Sequence, residues 1–457
     1  MLCGKAINCI AIETGGLIMA GDYFELKARG TNVKTEIVAG VTTFLTMAYI
    51  IFVNPDMLSK TGMDKGALVA VVCLVSAIST IATGVFGKAP IAMAPGMGLN
   101  AFFTYTMVLN NKMSWETALG AVFVSGVLFL LLTLIGLRKK LVEAIPPGII
   151  SAISVGIGLF ITFIGLVNLH IVVHNDATLV SAAPLGPTAL IGLAGLLLML
   201  FLEMKKVKGA LLIGIVFSTI LAIALGYVDR PAQWMSFKAD IRPIAFRLDI
   251  FGALKWGVLG SVFGLMFMDM FDSIGTLVAC CHQAKMVDKH GKIKGLDRLL
   301  AIDALATMTG AVFGTSTTTA YIESAAGIEQ GGRTGLTSVV TGALFLLAIL
   351  FAPLIGIVPE YATAPALIMV GLFMMKEVRV INFADIQEAF PAFIIIVMIA
   401  LSYSISTGLA FGFISFVLIK SAAGKAREVK PMMWIIAILS LAFLAGDKLG
   451  DLMQCIK

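Results

Sequence analysis

The chain is 457 residues long, 59% of them hydrophobic and only 13% charged, with a mean hydropathy of +0.99. That composition excludes a soluble globular protein, and several apolar runs near the roughly 20 residues that a helix needs to cross a bilayer indicate a polytopic membrane protein. The net charge of +6 does not call for a nucleic-acid partner, because the basic residues sit in short loops between apolar runs, where they orient a membrane protein.

The runs are apolar all round and rich in Gly and Ala rather than alternating, so they read as helices and not as barrel strands. Residues 1–23 read as a tail: Glu13 interrupts a weakly apolar patch after Lys5, and no cleavable leader is expected. Hydropathy then places segments at 35–53, 67–86, 99–110, 117–137, 147–168, 187–204 and 208–227. A second series follows at 255–281, 298–313, 322–330, 335–352, 360–376, 388–404 and 407–423. In each series the third member is too short to cross. A last apolar stretch, 431–446, is short for a span and equally suits the interface.

The parallel between the two series extends to residues. TGVFGKAPIAMAPGMGLNAF at 83–102 resembles TGAVFGTSTTTAYIESAAGI at 309–328: a helix end, a VFG, an extended polar or proline-bearing stretch, and a short helix. SGVLFLLL at 125–132 echoes TGALFLLA at 341–348, and VGIGLF at 155–160 echoes MVGLFM at 369–374. EMKKVKGALLIGIVF at 203–217 likewise lines up with YSISTGLAFGFISF at 403–416, so the order of the echoes is kept. Seven elements is an odd number, so the second copy enters the bilayer from the opposite side and the repeat is inverted. Inverted repeats with discontinuous helices characterise secondary transporters, whose site lies near the midplane where the helices break. Lys and Arg placement, including Arg138, Lys139, Lys140, Lys205, Lys206, Lys208, Lys289, Lys292, Lys294 and Lys420, puts the N-terminus on the cytoplasmic side. The opposite face keeps few, among them Arg230, Lys238, Arg242 and Arg247 of one longer loop, 228–252.

An ionisable group at bilayer depth costs about 2.5 kcal/mol or more, so it survives where it faces a polar cavity or a partner. Asp269 and Asp272 are three residues apart on the eighth segment and share a helix face. Glu323 starts the short tenth segment, and Asn100 holds the same kind of place in the third, after Gly96 and Gly98. Acids that accept, or donate when protonated, beside half-helix ends suit a flat polar molecule carrying both N–H donors and ring acceptors. Phe102, Phe103, Phe271 and Tyr321 are placed to stack on it, and a nucleobase fits. A carboxyl that takes up a proton outside and releases it inside supplies a coupling ion, which makes Asp269, Asp272 and Glu323 the proton-coupling candidates. Carboxylates and opened backbone carbonyls also coordinate sodium.

Each residue has a purely structural reading too. Asp269 and Asp272 can bond the broken backbone of a neighbour, Glu323 can be a helix-start carboxylate, and Asn100 can be a cap. Thr317, Thr318 and Thr319 complete backbone pairing of the extended stretch, and Glu329 pairs with Arg333 where that segment ends. The six cysteines, Cys3, Cys9, Cys73, Cys280, Cys281 and Cys455, form no disulfide framework. His170, His174, His282 and His290 lack metal-ligand spacing, so neither a metal nor another cofactor is expected.

TNVKTEIVAGVTTFLTMAYIIFVNP at 31–55, APGMGLNAFF at 94–103, FMDMFDSIGTL at 267–277 and AYIESAAGI at 320–328 together resemble the AzgA-like purine permeases of the nucleobase-cation symporter type 2 family, over Phe24 to Gly424. The resemblance implies an all-α membrane fold of fourteen segments as two inverted repeats of seven. It divides the chain into a core bundle (24–137 with 229–352) and a gate bundle (138–228 with 353–424), leaving 425–457 as a C-terminal apolar segment and tail. It further implies proton-coupled import of adenine, guanine or hypoxanthine, with Gly98, Asn100, Asp269, Asp272 and Glu323 as the substrate-binding positions. Met270 and Ser273 stand where relatives look more like Leu and Thr. An anion transporter of the same fold, for sulfate, bicarbonate or dicarboxylate, is the alternative, but it would want positive charge where this chain has acids. A channel would want a pore lined by equivalent helices, and an intramembrane enzyme a nucleophile–base pair or a second matching aspartate helix. The partners expected are thus a small nucleobase, protons and membrane lipid; a homo-oligomer is compatible with the sequence.

Overall fold

The computed structural model describes residues 23–135, 145–231, 233–236, 240–287, 293, 295–441 and 444. The tail up to residue 22, Arg138, Lys139, Lys140, Lys238, Lys289, Lys292, Lys294, His290, Cys455 and the end of the 431–446 stretch lie outside the described residues.

The fold is a bundle of apolar helices. α1 (Val33–Met47) starts where the Asn32 side chain accepts from Thr35 N at 3.0 Å, and it passes through Ala48 and Tyr49 into α2 (Ile50–Ser59), which contains Pro55. α3 (Lys65–Val85) is capped by Asp64, whose side chain accepts from Ala67 N at 2.7 Å. After the VFG turn come strand β1 (Met93–Pro95), the five-residue α4 (Met97–Ala101) and its π-helical continuation Phe102–Asn110. α5 (Trp115–Ile135), α6 (Pro147–Asn168), the hairpin β2 (Val172–Asn175) and β3 (Leu179–Ala182), α7 (Pro187–Met204) and α8 (Ala210–Ala224) complete the first half.

The second half also places a short strand and a short helix after two long helices. After the single turn α9 (Ile250–Ala253), α10 (Trp256–Gln283) is followed by α11 (Leu296–Phe313), strand β4 (Thr318–Ala320) and the six-residue α12 (Ser324–Glu329). α13 (Gly335–Ala348), the short α14 (Ala352–Gly356), α15 (Glu360–Met374), α16 (Ile386–Ser402) and α17 (Ile405–Ala422) follow. Among the described residues nine helical stretches are long and apolar enough to cross a membrane, from Val33–Ser59 to Ile405–Ala422. Ala210–Ala224, Ile386–Ser402 and Pro431–Leu441 are shorter apolar helices. Thus the third and tenth segments are broken as the hydropathy predicts.

Helices pack in two groups. α13 lies against α1 and α3, α5 against α10 and α11, and α12 against α1. Separately, α6 packs on α15 and α16, α16 on α17, and α7 on α8 and α15. Small residues permit the closest approaches: a methyl group on Gly335 would lie 1.9 Å from Gly84 O, and one on Gly327 2.5 Å from Ala39 O.

Candidate functional site

The two broken segments meet in the middle of the first group. β1 and β4 pair antiparallel in the register Met93↔Ala320, Ala94↔Thr319 and Pro95↔Thr318. Gly96 N donates to Thr317 O (3.0 Å) and Tyr321 N to Ala92 O (2.9 Å). This mutual pairing satisfies backbone groups that have neither a helix nor water to bond, which is what lets extended chain exist at membrane depth. The Tyr321 hydroxyl donates to Pro95 O at 2.5 Å, and Ser338 Oγ serves Ala89 O and Ile91 O at 2.8 and 3.0 Å. The threonine run therefore pairs through its backbone as expected, and Thr319 does more.

α10 runs beside β4 and presents both aspartates to it. Asp269 is fully buried; Thr307 Oγ1 of α11 lies 3.2 Å from its Oδ2 and 3.0 Å from Thr318 O, and Ser273 Oγ lies 3.4 Å from its Oδ1. One hydroxyl thereby ties α10, α11 and β4 together. Asp272, one turn on, is exposed, and accepts from Thr319 Oγ1 at 3.4 Å. A carboxylate left exposed in the interior of an apolar 27-residue span calls for polar surroundings rather than lipid. Glu323 is half-buried at the N-cap of α12, without capping that helix through its side chain, and accepts from the Tyr49 hydroxyl at 2.7 Å. Asp272 and Glu323 are close enough for their charges to interact. The three acids thus lie around the paired strands, Asp269 buried against α11, Asp272 exposed and Glu323 half-buried.

Asn100 is no cap. It lies inside α4, its N–H bonding Gly96 O at 2.8 Å, and its fully buried carboxamide oxygen accepts from Ser316 Oγ, joining the two broken segments. Gly98 has a steric reason: a methyl group there would come within 2.8 Å of Ile157 Cγ2 on α6, so this glycine lets the broken segment approach the second helix group. Two of the four aromatic residues expected to stack on a ligand are withdrawn from it. Phe102 and Phe103 are wholly inside the core, and Phe271 and Tyr321 are 9% and 5% exposed. Glu329 pairs with Lys208 (3.0 Å) and not with Arg333, whose guanidinium donates to Gln283 O at 2.9 Å.

Three residues escaped the sequence reading. Tyr49 is one. Glu36, fully buried on α1, accepts at Oε1 from Arg333 N (2.9 Å) and at Oε2 from the Thr337 hydroxyl (2.6 Å), the Thr334 hydroxyl (2.9 Å) and the Thr334 and Thr337 N–H groups. It anchors the start of α13, and its signal was a charge inside an apolar run. Asp56, 3% exposed on α2, takes Lys65 Nζ at 3.1 Å and the Thr363 hydroxyl of α15 at 2.9 Å. Nearby Lys60 reaches Glu360 (3.1 Å) and Asn168 (2.8 Å), and Lys65 Nζ reaches Val358 O (3.4 Å). This network ties α2 and α3 to α6 and α15 across the boundary of the two helix groups. At the other end of α1 the boundary carries the more exposed Lys208–Glu329 pair.

Relatives place this architecture. The chain is 40% identical to the adenine permease AdeP of Escherichia coli over 93% of this chain and 96% of the relative, and 40% identical to the guanine/hypoxanthine permease PbuO of Bacillus subtilis over 91% and 98%. The transmembrane domain of a cyanobacterial bicarbonate transporter, BicA, superposes with a TM-score of 0.64 over 82% of this chain and 96% of that domain; at 17% identity it shows a common fold alone. A permease family model matches residues 34–411. The chain is a multi-pass membrane protein of that permease family, and not an enzyme.

Proposed function

We propose that the chain is a secondary active transporter that imports purine nucleobases (guanine, hypoxanthine or adenine) by proton symport. The observation that carries this reading is the exposed Asp272 beside the half-buried Glu323 at the crossing of the two broken segments. Carboxylates accept hydrogen bonds and repel anions, so the site suits the N–H edge of a base and disfavours the sulfate, bicarbonate or dicarboxylate that the shared fold alone would allow. Relatives named for adenine and for guanine and hypoxanthine support the same substrate class.

In this reading α1–α5 and α10–α13 form a core bundle, α6–α8 and α15–α17 a gate bundle, and the halves are inverted repeats. Gly98, Asn100, Asp269, Asp272 and Glu323 form the substrate site: Asp272 and Glu323 contact the base, while Gly98, Asn100 and Asp269 shape the crossing that holds them. A proton taken up by one of these carboxyls binds together with the base, and the linkage is reciprocal. The N-terminus is cytoplasmic, so the Asp56 network closes the outer side and Lys208–Glu329 lies inside. Uptake of labelled purines by cells expressing the chain tests the reading. Accumulation should collapse with a proton uncoupler and persist when sodium is replaced. Accumulation of sulfate or bicarbonate in place of purines would overturn it.

A further inference from the structure

Glu323 is half-buried and immediately precedes a six-residue helix, too short to hold a side chain still by its own packing. α1 holds it instead. Gly327 brings α12 into backbone contact with α1, where a methyl group would meet Ala39 O at 2.5 Å and Thr43 Oγ1 at 2.1 Å. Thr46 Oγ1 lies 3.4 Å from Glu323 O, and the Tyr49 hydroxyl donates to Glu323 Oε1 at 2.7 Å. Tyr49 is 2% exposed and sits at the joint between α1 and α2, so its ring is locked by the core and its hydroxyl has a defined position.

We infer that Tyr49 is a positioning residue for substrate: its hydroxyl fixes Glu323 so that the carboxyl presents its remaining acceptor capacity to an N–H of the base. The inference rests on the reading of Glu323 as a ligand to a purine. Two carboxylate oxygens offer about four acceptor sites. One phenol at 2.7 Å takes one of them and leaves the others, while removing the rotational freedom that a ligand would otherwise have to quench. A hydrogen bond to a charged group is among the stronger kinds, so losing it should be felt in ligand affinity and little in the rate of carrying a bound base.

Labelled hypoxanthine uptake and binding to the purified full chain provide the test, in wild type, in Tyr49→Phe and with 3-fluorotyrosine at position 49. The Phe variant keeps the ring and should raise KM and Kd roughly tenfold with the maximal rate per transporter retained. Fluorotyrosine, a stronger donor of nearly the same shape, should bind as wild type or tighter. A Phe variant within twofold of wild type, or fluorotyrosine as weak as Phe, overturns the inference. The fluorine resonance at position 49 gives an answer that needs neither a folded Phe variant nor any ligand. It should move when Glu323→Gln is introduced, and an unmoved resonance overturns the inference. A wild-type protein that binds no purine, with the resonance still moving, would instead sink the substrate assignment.

Discussion

Thr363→Val probes the contact between the two helix groups with minimal change of shape. The Thr363 hydroxyl is shared between Asp56 Oδ2 and Glu360 O, both at 2.9 Å, and both Thr363 and Asp56 are buried. A hydrogen bond to a buried charge contributes about 1.5–3 kcal/mol. The lower end applies here, because Asp56 keeps Lys65 and the hydroxyl proton is shared. Lys60–Glu360, with side chains 22% and 51% exposed, adds well under 1 kcal/mol by comparison. If the outer side opens by separating α2 from α15, the variant should favour the outward-open state by about 1.5 kcal/mol, or tenfold. Apparent affinity is intrinsic affinity scaled by the competent fraction, so KM for external purine in intact cells should fall by up to tenfold. Ser421→Ala, which removes a hydroxyl bonded only within α17 (Ser421 Oγ to Val417 O, 2.7 Å), should leave KM unchanged and serves as the control. An unchanged or higher KM in Thr363→Val would refute the idea that this network holds the outer side shut.

Other outcomes follow from single contacts. Asp272→Asn and Glu323→Gln should each abolish purine uptake while the protein still reaches the membrane and purifies as a folded species; retained uptake in both would remove the carboxylates from the site. Glu36→Gln replaces an acceptor of five hydrogen bonds by a group that turns an NH2 toward their donors. It should cost about 3 kcal/mol or more and lower the unfolding temperature in detergent by several degrees. Gly327→Val forces α12 off α1, so uptake should be lost even where expression survives. Outside the spans, a backbone hydrogen bond from Gly252 holds the Asp249 carboxyl below its ordinary value, assisted by Thr117. Its contribution is present above the ordinary carboxylate range and is lost as pH falls through the depressed value. Asp249→Asn keeps a cap and should flatten that acid-side loss in a thermal-unfolding series across pH.

Much of this architecture is legible in the chain because bilayer-length apolar runs leave few alternatives, and because APGMGLNAFF and AYIESAAGI interrupt helices at matching places. The spacing of Asp269 and Asp272 puts both on one helix face. It does not say which of them is buried, since that depends on Thr307, 38 residues away on α11. Tyr49 and Glu323 are 274 positions apart, and Glu36 meets Thr337 across 301. No local pattern encodes such pairs; only the packing of α1 on α12 and α13 creates them. The same holds for Glu329, whose sequence neighbour Arg333 turns to Gln283 while Lys208 arrives from the other half. Phe102 and Phe103 misled for the complementary reason: an aromatic beside a break looks available for stacking until the π-helical turn carries it into the core.

Equilibrium binding to the purified protein reaches the central claim most directly, using labelled hypoxanthine, guanine, adenine, bicarbonate and sulfate against wild type and Asp272→Asn. Saturable binding of at least one purine, absent from the variant, with no saturable binding of either anion, is the expected result. An anion bound in place of every purine, or a purine held equally well by Asp272→Asn, would contradict the account.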